Sequence, residues 1–193
     1  DVPDWYIKSC EKIKYMFPKA HAAAYVTNAF RIAWFKVHIP LAYYAAYYSI
    51  RAKAFDASCM IFGKEKVKNK MKEIEMKNQK KEATKAELDM YDDLEIVLEM
   101  YERGFEFLPV DLYESEATKF KIQENKLRPP LNSIPGFGGV AAQGIVEARK
   151  DGKFMSIDDL KIRAKIGSSG ADLLKEFGCL EGMSQSNQLS LFG

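Results

Sequence analysis

Apolar residues recur at helical spacing between Pro18 and Pro40. Proline is tolerated in the first turn of a helix but stops a helix from continuing through it, so the stretch predicts one helix with a proline at each end. At 100° per residue, one stripe of this helix is apolar and is predicted to be buried: Ala22, Ala23, Val26, Ala29, Phe30, Ala33, Trp34 and Val37.

A second stripe of the same helix is more polar and contains His21, Tyr25, Asn28, Ile32 and Lys36. Such a face, with alanines that let neighbours approach closely, suits the wall of a groove that touches an anionic or planar ligand. The alternative is a set of boundary residues whose polar groups are satisfied within the protein. The spacing alone does not decide between the two.

The pattern over residues 58–104 predicts an antiparallel pair of helices that is broken near Asn78. Thr84 and Glu87 have the spacing of a capping box, which would start the second helix. The first helix is very polar and carries only a thin apolar seam of Val67, Met71 and Ile74.

From Phe105 onward the apolar residues alternate, which predicts short strands within residues 105–113 and 119–127. Glu124 and Asn125 are a plausible turn in the second of these stretches. Residues 128–133, "RPPLNS", predict a rigid extended connector, because each proline disfavours helix for itself and its predecessor. The main domain boundary is therefore predicted between about 115 and 132.

The glycine-rich stretch "IPGFGGVAAQGIVEARKDG" carries the clearest chemistry. Gly136 and Gly138 allow a tight turn whose backbone N–H groups point outward without a shielding side chain. The helix that follows adds the free N–H groups and the dipole of its N-terminus. The pattern is typical of a helix-hairpin-helix element, which grips phosphates without reading bases.

The residues predicted to contact DNA are Gly136, Phe137, Gly138, Gly139, Val140, Arg149 and Lys150. The alternative is an ordinary glycine-rich turn before a helix. One departure from the motif is that Pro129 and Pro130 leave little room for a full first helix before the hairpin.

An enzymatic alternative rests on Asp158, which follows Gly138 at about the distance at which helix-hairpin-helix DNA glycosylases place their catalytic aspartate. Such an enzyme would flip a base and use the carboxylate to support the cleaved sugar. Asp158, however, is predicted in a helix cap, and too few residues follow it for the remaining helices of that fold. This alternative is therefore weaker than DNA binding without catalysis.

Composition limits the other possibilities. The 193 residues are 47% hydrophobic, enough for one good core or two small ones. The formal net charge is only +2, but residues 64–85 contain nine lysines against four glutamates. This run predicts either a solvated helix face or a strip that lies along a phosphate backbone.

The sequence does not indicate a metal site, a signal peptide or a membrane span. Three cysteines without CxxC spacing suggest a reducing compartment, and His21 and His38 do not share a helix face, so no metal site is proposed. No signal peptide is recognised, and charged residues and Pro40 interrupt the long apolar stretch, so a cytoplasmic protein without a membrane span is expected.

Three features occur in one order: "FPKAHAAAYV", "IPGFGGVAAQGIVEAR" and a terminal "QLSLF". Over essentially the whole chain this order closely resembles the C-terminal part of the PolC-type replicative DNA polymerase III alpha subunit of low-GC Gram-positive bacteria. The resemblance implies a mainly α fold with a small β segment. It also implies three parts: a helical fingers subdomain with the lysine-rich hairpin at residues 1–115, a helix-hairpin-helix duplex-binding domain at 116–183, and a flexible clamp-binding tail at 184–193.

The resemblance assigns roles to two further sets of residues. Contacts to the incoming deoxynucleoside triphosphate would come from Lys19, His21, Tyr25 and, as a weaker candidate, Arg31. The sliding clamp, the beta subunit, would be bound by Gln188, Leu189, Leu191 and Phe192. The alternative for the tail is that it folds back onto its own domain.

The resemblance also implies what lies elsewhere. The carboxylates that hold catalytic Mg²⁺ in a polymerase would lie upstream, so the chain is expected to contain no catalytic residue, to bind no cofactor itself and to be inactive alone. Its expected partners are primer–template duplex DNA, deoxynucleoside triphosphate, the clamp and other replisome subunits. The alternative is a stand-alone helix-hairpin-helix DNA-binding or clamp-adaptor protein without catalysis.

Overall fold

The computed structural model describes residues 1–14, 18–52 and 54–186. The chain divides into two compact units, residues 1–40 and residues 41–193. Within the described ranges, no helix is both long and apolar enough to cross a membrane. The predicted fold class, mainly α with a small β segment, is confirmed. The predicted functional boundaries at residues 115 and 183 stay a prediction.

The first unit contains α1, Asp4–Glu11, and α2, Lys19–His38. Pro18 occupies the N-cap of α2 with extended backbone, as the sequence predicts. The predicted buried stripe, however, is wrong, because no residue of α2 is buried; Phe30 is 72% exposed and Val37 65% exposed. Helical spacing identifies which apolar side chains share a face, but it does not show what covers them.

The second unit begins with four helices: α3, Pro40–Ile50; α4, Ala57–Met60; α5, Lys64–Gln79; and α6, Lys85–Glu102. The predicted pair of helices, with its break near Asn78, is confirmed as α5 and α6. The predicted capping box is also present, since the Thr84 hydroxyl accepts from the Glu87 N–H and the Glu87 carboxylate accepts from the Thr84 N–H. Val67 and Ile74 are buried in the seam between the two helices.

A cluster of aromatic rings packs α3 against the segment after α6. Tyr44 and Tyr48 are buried and stacked, with ring centroids 6.1 Å apart. The Tyr48 ring also lies 5.3 to 5.7 Å from the rings of Phe55, Phe107 and Phe120. Such ring pairs add stability beyond the area that they bury.

The small sheet consists of β1, Lys121–Gln123, and β2, Lys126–Arg128, paired antiparallel. Glu124 and Asn125 form the predicted turn, both with positive φ. The predicted strand in residues 105–113 is wrong, since this stretch contributes only one isolated bridge, between Phe107 and Leu127. Pro109 has no N–H to donate to a ladder, and the Asp111 carboxylate caps the turn that follows it.

Three helices complete the second unit: α7, Gly139–Ala148; α8, Ile157–Ala164; and α9, Ser168–Glu176. The sequence predicts an extended connector over residues 128–133, and this is wrong for its second half. Leu131–Ser133 forms one 3-10 turn after Pro130. This correction agrees with the expectation that the prolines leave little room for a full helix here. The Ser156 side chain caps α8 by accepting from the Asp159 N–H.

Two apolar clusters hold the second unit together. One contains the aromatic rings and the seam between α5 and α6, and the other fills the space between α7, α8 and α9. Phe55 and Ile61 pack against both clusters. These two residues therefore link the interior of the lysine-rich helical pair to that of the glycine-rich region.

Gly144 marks the closest approach of α7 to α8. A Cβ atom at this position would lie well inside van der Waals contact of the Ala164 carbonyl oxygen. An alanine there would force the two helices apart, although glycine to alanine in an open helix is normally stabilising by about 1 kcal/mol.

We therefore expect Gly144→Ala to lower the free energy of unfolding by about 1 to 3 kcal/mol, measured by urea denaturation. Gly139→Ala is the matched control, because its Cβ would lie 3.6 Å from Thr118 Cγ2, an ordinary contact. Gly144→Ala with unchanged or raised stability would show that α7 and α8 are not in close contact.

Candidate nucleic-acid interface

The first candidate site is the hairpin loop between the 3-10 turn and α7. Gly136 has a φ of +79°, a conformation that favours glycine, and turns the chain sharply. Phe137 follows with its side chain 4% exposed. Gly138 is then the N-cap of α7 and provides no side-chain hydrogen bond to the helix. The loop thus ends in a helix N-terminus whose first N–H groups have no side-chain cap.

The fold itself does not require glycine at position 138. Its φ of −71° and ψ of 151° are available to any residue, and an added Cβ would meet nothing within 4 Å. Serine, threonine, asparagine or aspartate would cap the helix better. Glycine here keeps the backbone N–H groups accessible to a ligand that approaches closely, which is the property needed to hold a phosphate.

The structure places the other predicted DNA contacts in different surroundings. Gly139 and Val140 are exposed in the first turn of α7, and Val140 is 91% exposed. The Phe137 side chain is in the core, where it anchors the loop. Arg149 donates from its guanidinium to the carbonyls of Leu112 and Ser115, so its side chain also ties the interior together.

Lys150 lies at the surface beside Glu147, and this ammonium lowers the pKa of the Glu147 carboxyl. The carboxylate and the ammonium thus largely cancel each other at the end of α7. The first hairpin therefore offers mainly backbone N–H groups, rather than side-chain cations, to an anion.

A second hairpin, which the sequence reasoning missed, joins α8 to α9. Lys165 ends α8 in the left-handed conformation with a φ of +55°. Ile166 is buried. Gly167 is the N-cap of α9, with no side-chain cap, a φ of −77° and a ψ of 173°. An added Cβ at Gly167 would also meet nothing within 4 Å.

The two hairpins match position by position. Gly167 follows Gly138 by 29 positions (167 − 138 = 29), and the same offset relates the left-handed residues and the buried anchors of the two loops. The match continues into the buried faces of α7 and α9, where the pairs are Ala142 with Ala171 and Ile145 with Leu174. An internal comparison at this offset, "GFGGVAA" against "KIGSSGA", could have found the repeat.

The two loops lie side by side because the first one packs on α9. The Phe137 ring lies against Gly170, where an added Cβ would be 3.4 Å from Phe137 Cε2. At Gly136 an added Cβ would be 3.5 Å from Leu173 Cδ1. Both uncapped helix N-termini are thus held by the same small cluster of apolar side chains.

Arg163 stabilises the segment that connects α7 to α8. Its guanidinium donates to the carbonyls of Ala148, Gly152 and Lys153 and pairs with Asp159. It therefore satisfies carbonyls at the end of α7, a position where a cation also interacts favourably with the helix dipole. Its role is to orient α7 and α8.

The predicted nucleotide contacts all lie on exposed surface of α2, in the first unit. His21 and Tyr25 are brought together, with ring centroids 4.4 Å apart. Lys19 precedes them in the first turn. Arg31 is not part of this group, since it lines a shallow concavity with Trp34 and Phe35. His21 and Tyr25 lie four residues apart on the predicted polar stripe, a spacing at which helical side chains meet.

Two other expectations have different outcomes. Gln188, Leu189, Leu191 and Phe192, the predicted clamp contacts, lie outside the described residues. Asp158, considered as a glycosylase aspartate, lies in the first turn of α8, with a carboxylate oxygen 3.9 Å from Lys161 Nζ. Within residues 1–14, 18–52 and 54–186, no group of three or more His, Cys, Asp or Glu side chains is placed to hold a metal ion.

Comparisons with known proteins agree with this site. The family model of the helix-hairpin-helix motif matches residues 104–189. The DNA polymerase III PolC-type of Clostridium perfringens is 52% identical over 193 residues, which is 100% of this chain and 13% of that protein. The proteins of the same name from Streptococcus suis and Oceanobacillus iheyensis are 53% and 52% identical over 191 residues, 99% of this chain and 13% of each protein.

This chain thus spans about an eighth of the length of the relatives that it matches. The identity extends through both compact units, and not only through the helix-hairpin-helix region. The chain belongs to the PolC-type DNA polymerase III family and corresponds to a segment of that polymerase.

Proposed function

We propose that this segment of a replicative DNA polymerase binds duplex DNA without sequence preference through its two hairpins. The observation that carries the proposal is the glycine at the N-caps of both α7 and α9. Neither the backbone angles nor the neighbouring atoms require glycine at Gly138 or Gly167. A closely approaching ligand would explain why both positions lack a capping side chain.

The chemistry follows from the helix termini. N–H groups in the first turns of α7 and α9 donate to phosphate oxygens, and the two helix dipoles favour the negative charge. Because the two hairpins repeat and lie side by side, each hairpin holds one strand of a duplex. Contacts to phosphates carry no base information, which suits an enzyme that must copy every sequence.

The activity of the full protein is proposed from its relatives. The intact polymerase transfers nucleotidyl groups to a primer, and its Mg²⁺ is held by carboxylates outside this chain. Within this chain, Lys19 supplies a cation for the triphosphate, and the His21–Tyr25 pair supplies a planar surface, with Arg31 as a weaker contact. The same relatives favour this function over a stand-alone DNA-binding or clamp-adaptor protein and over a glycosylase.

The tail and the location complete the proposal. Gln188 would orient the tail through its amide, while Leu189, Leu191 and Phe192 enter an apolar cleft of the sliding clamp. Other replisome subunits are further partners, and the protein acts in the bacterial cytoplasm, where the chromosome is copied. No part of this chain is proposed to enter a membrane.

The hairpins are tested by Gly138→Val and Gly167→Val. We expect each to weaken duplex binding by about tenfold or more, since a hydrogen bond to a charged group contributes about 1.5 to 3 kcal/mol. Fluorescence anisotropy with duplexes of several sequences measures both the loss and its independence of sequence. Both variants should fold normally, because the added side chain begins in open space.

Ser156→Ala is the matched control, because it removes a real N-cap from α8 in the same region. It should lower stability by about 1 kcal/mol but leave duplex affinity unchanged. Wild-type affinity in both valine variants, or strong preference for one DNA sequence, would contradict the proposed function.

The nucleotide contacts are tested in the intact polymerase with Lys19→Ala and His21→Ala. Each is expected to lower kcat/KM for nucleotide incorporation by about tenfold or more, because each removes a contact to a charged or stacked ligand. Lys8→Ala, an exposed lysine of α1, is the control and should have wild-type kinetics. Unchanged kinetics in both α2 variants would remove these residues from the nucleotide site.

The tail is tested by deleting residues 188–192. Loss of its buried anchors should weaken binding to the clamp by about thirtyfold or more, since such anchors contribute about 2 kcal/mol or more. Duplex affinity should not change, whereas Gly138→Val should show the reverse behaviour and keep clamp binding. A tail-deleted chain that still binds the clamp would favour the alternative in which the tail belongs to the fold.

A further inference from the structure

The lysines of residues 64–85 divide into two groups. Toward the start and middle of α5, three lysines pair with neighbouring carboxylates: Lys64 and Lys68 with Glu102, and Lys70 with Glu73. Lys66 and Lys72 are exposed and form no ion pair among the described residues, and the Lys66 ammonium lies 4.4 Å from the centre of the Phe62 ring. Near the end of α5, Lys77 lies between Glu73 and Glu87. This part of the run is a solvated, ion-paired helix surface, as one of the two predictions states.

The lysines of the turn between α5 and α6, together with Lys85 at the first position of α6, differ. Lys80, Lys81 and Lys85 are exposed, and none of them pairs with a carboxylate of the described residues. We call these three residues the basic turn. Glu82 is its one acidic neighbour within the turn, so the local charge is positive.

The basic turn is an ordered structure. Lys81 has a φ of +61°, and the N–H groups of Lys81 and Glu82 donate to the carbonyls of Asn78 and Lys77. Thr84 and Glu87 then cap α6 immediately afterwards. The three ammonium groups are therefore carried by a backbone that is held in place at both ends.

A groove lies between the first turns of α6, which begins at Lys85, and the first hairpin loop. One wall contains Ala86, Glu87 and Met90 of α6, directly after Lys85. The rest of the lining consists of residues 54–56 and the segment from Asn132 to Gly138, which includes the first hairpin loop. The groove has a volume of about 550 Å³, so the two surfaces are neighbours across an open channel.

Two acidic residues line this groove, and each is engaged within the protein: Asp56 accepts from the Ser58 N–H at the start of α4, and Glu87 is held by Lys77 and Thr84. The Lys77 ammonium is 2.7 Å from one Glu87 oxygen, and the Thr84 N–H is 2.8 Å from the other. These contacts lower the pKa of Glu87 to about 2, so the carboxylate stays ionised and engaged. Its charge is balanced by Lys77, and the basic turn remains in excess.

We propose that the basic turn contacts the phosphate backbone of the same duplex that the hairpins grip, where that duplex runs along the groove. This inference rests on the proposed function, and it extends the DNA footprint from the hairpins to the helical pair α5–α6. Lysine ammonium groups act as point charges and read no bases, so the contact adds affinity and salt dependence but no sequence preference.

The test compares two triple variants of the 193-residue chain. One neutralises the basic turn by Lys80→Gln, Lys81→Asn and Lys85→Gln, with asparagine chosen because it tolerates positive φ. The control variant is Lys64→Gln, Lys68→Gln and Lys70→Gln. It removes the same net charge from ion-paired positions of the helical pair α5–α6. Duplex affinity is measured by anisotropy over a series of salt concentrations.

Each phosphate contact contributes about 0.9 to the slope of log K against log salt. The basic-turn variant is expected to lower the magnitude of the slope by about 2 to 3 and to weaken binding at least about tenfold near 0.1 M salt. The control should stay close to wild type. Equal behaviour of the two triple variants would overturn the inference, because net charge alone would then explain the effect.

The hairpin variants separate this inference from the proposed function. If Gly138→Val and Gly167→Val lose affinity while the basic-turn variant binds like wild type, only the basic-turn contact is wrong. If the hairpin variants bind like wild type while the basic-turn variant loses affinity and slope, the hairpin proposal fails; the basic turn then contacts duplex DNA, but not as an extension of a hairpin footprint.

Discussion

The arrangement of the candidate interface depends on the burial of Phe137. Its ring lies against Gly170 in the core, while the residues on either side, Gly136 and Gly138, remain exposed. A single buried side chain therefore fixes a loop whose backbone must stay open. The second loop uses Ile166 in the same way, and the two anchors belong to one apolar cluster, so neither loop can shift without disturbing the other.

In the second unit, the helix N-caps are of two chemical kinds. The caps of α4, α6 and α8 are Asp56, Thr84 and Ser156, and each accepts a backbone N–H of its own helix. The caps of α7 and α9 are glycines without a partner. An Ncap glycine is less favourable than serine by a few tenths of a kcal/mol, so the two hairpins give up a little stability for access. Gly63, the N-cap of α5, differs because its φ of +97° itself requires glycine.

Local signals in the sequence predicted local structure well. The proline-bounded helix, the capping box of Thr84 and Glu87, the Glu124–Asn125 turn and the first glycine loop depend on neighbouring residues, and all four are present. The failures involve longer-range information. The apolar side chains of α2 do share one face of the helix, but their spacing does not show whether any other element packs against that face. The second hairpin was missed because Lys165 stands where the first loop has Gly136, which hides the repeat from a search for glycine pairs.

Arginines and lysines near the candidate interface have different roles in the structure. Arg128, Arg149 and Arg163 all donate to backbone carbonyls, and Arg128 is almost completely buried. The guanidinium fork can satisfy several carbonyls at once, which suits it to hold connections between elements. These three arginines therefore stabilise the scaffold, and in the proposed interface the groups left to meet phosphate are backbone N–H groups and lysines. A surface of that kind would bind DNA of any sequence and release it as the salt concentration rises.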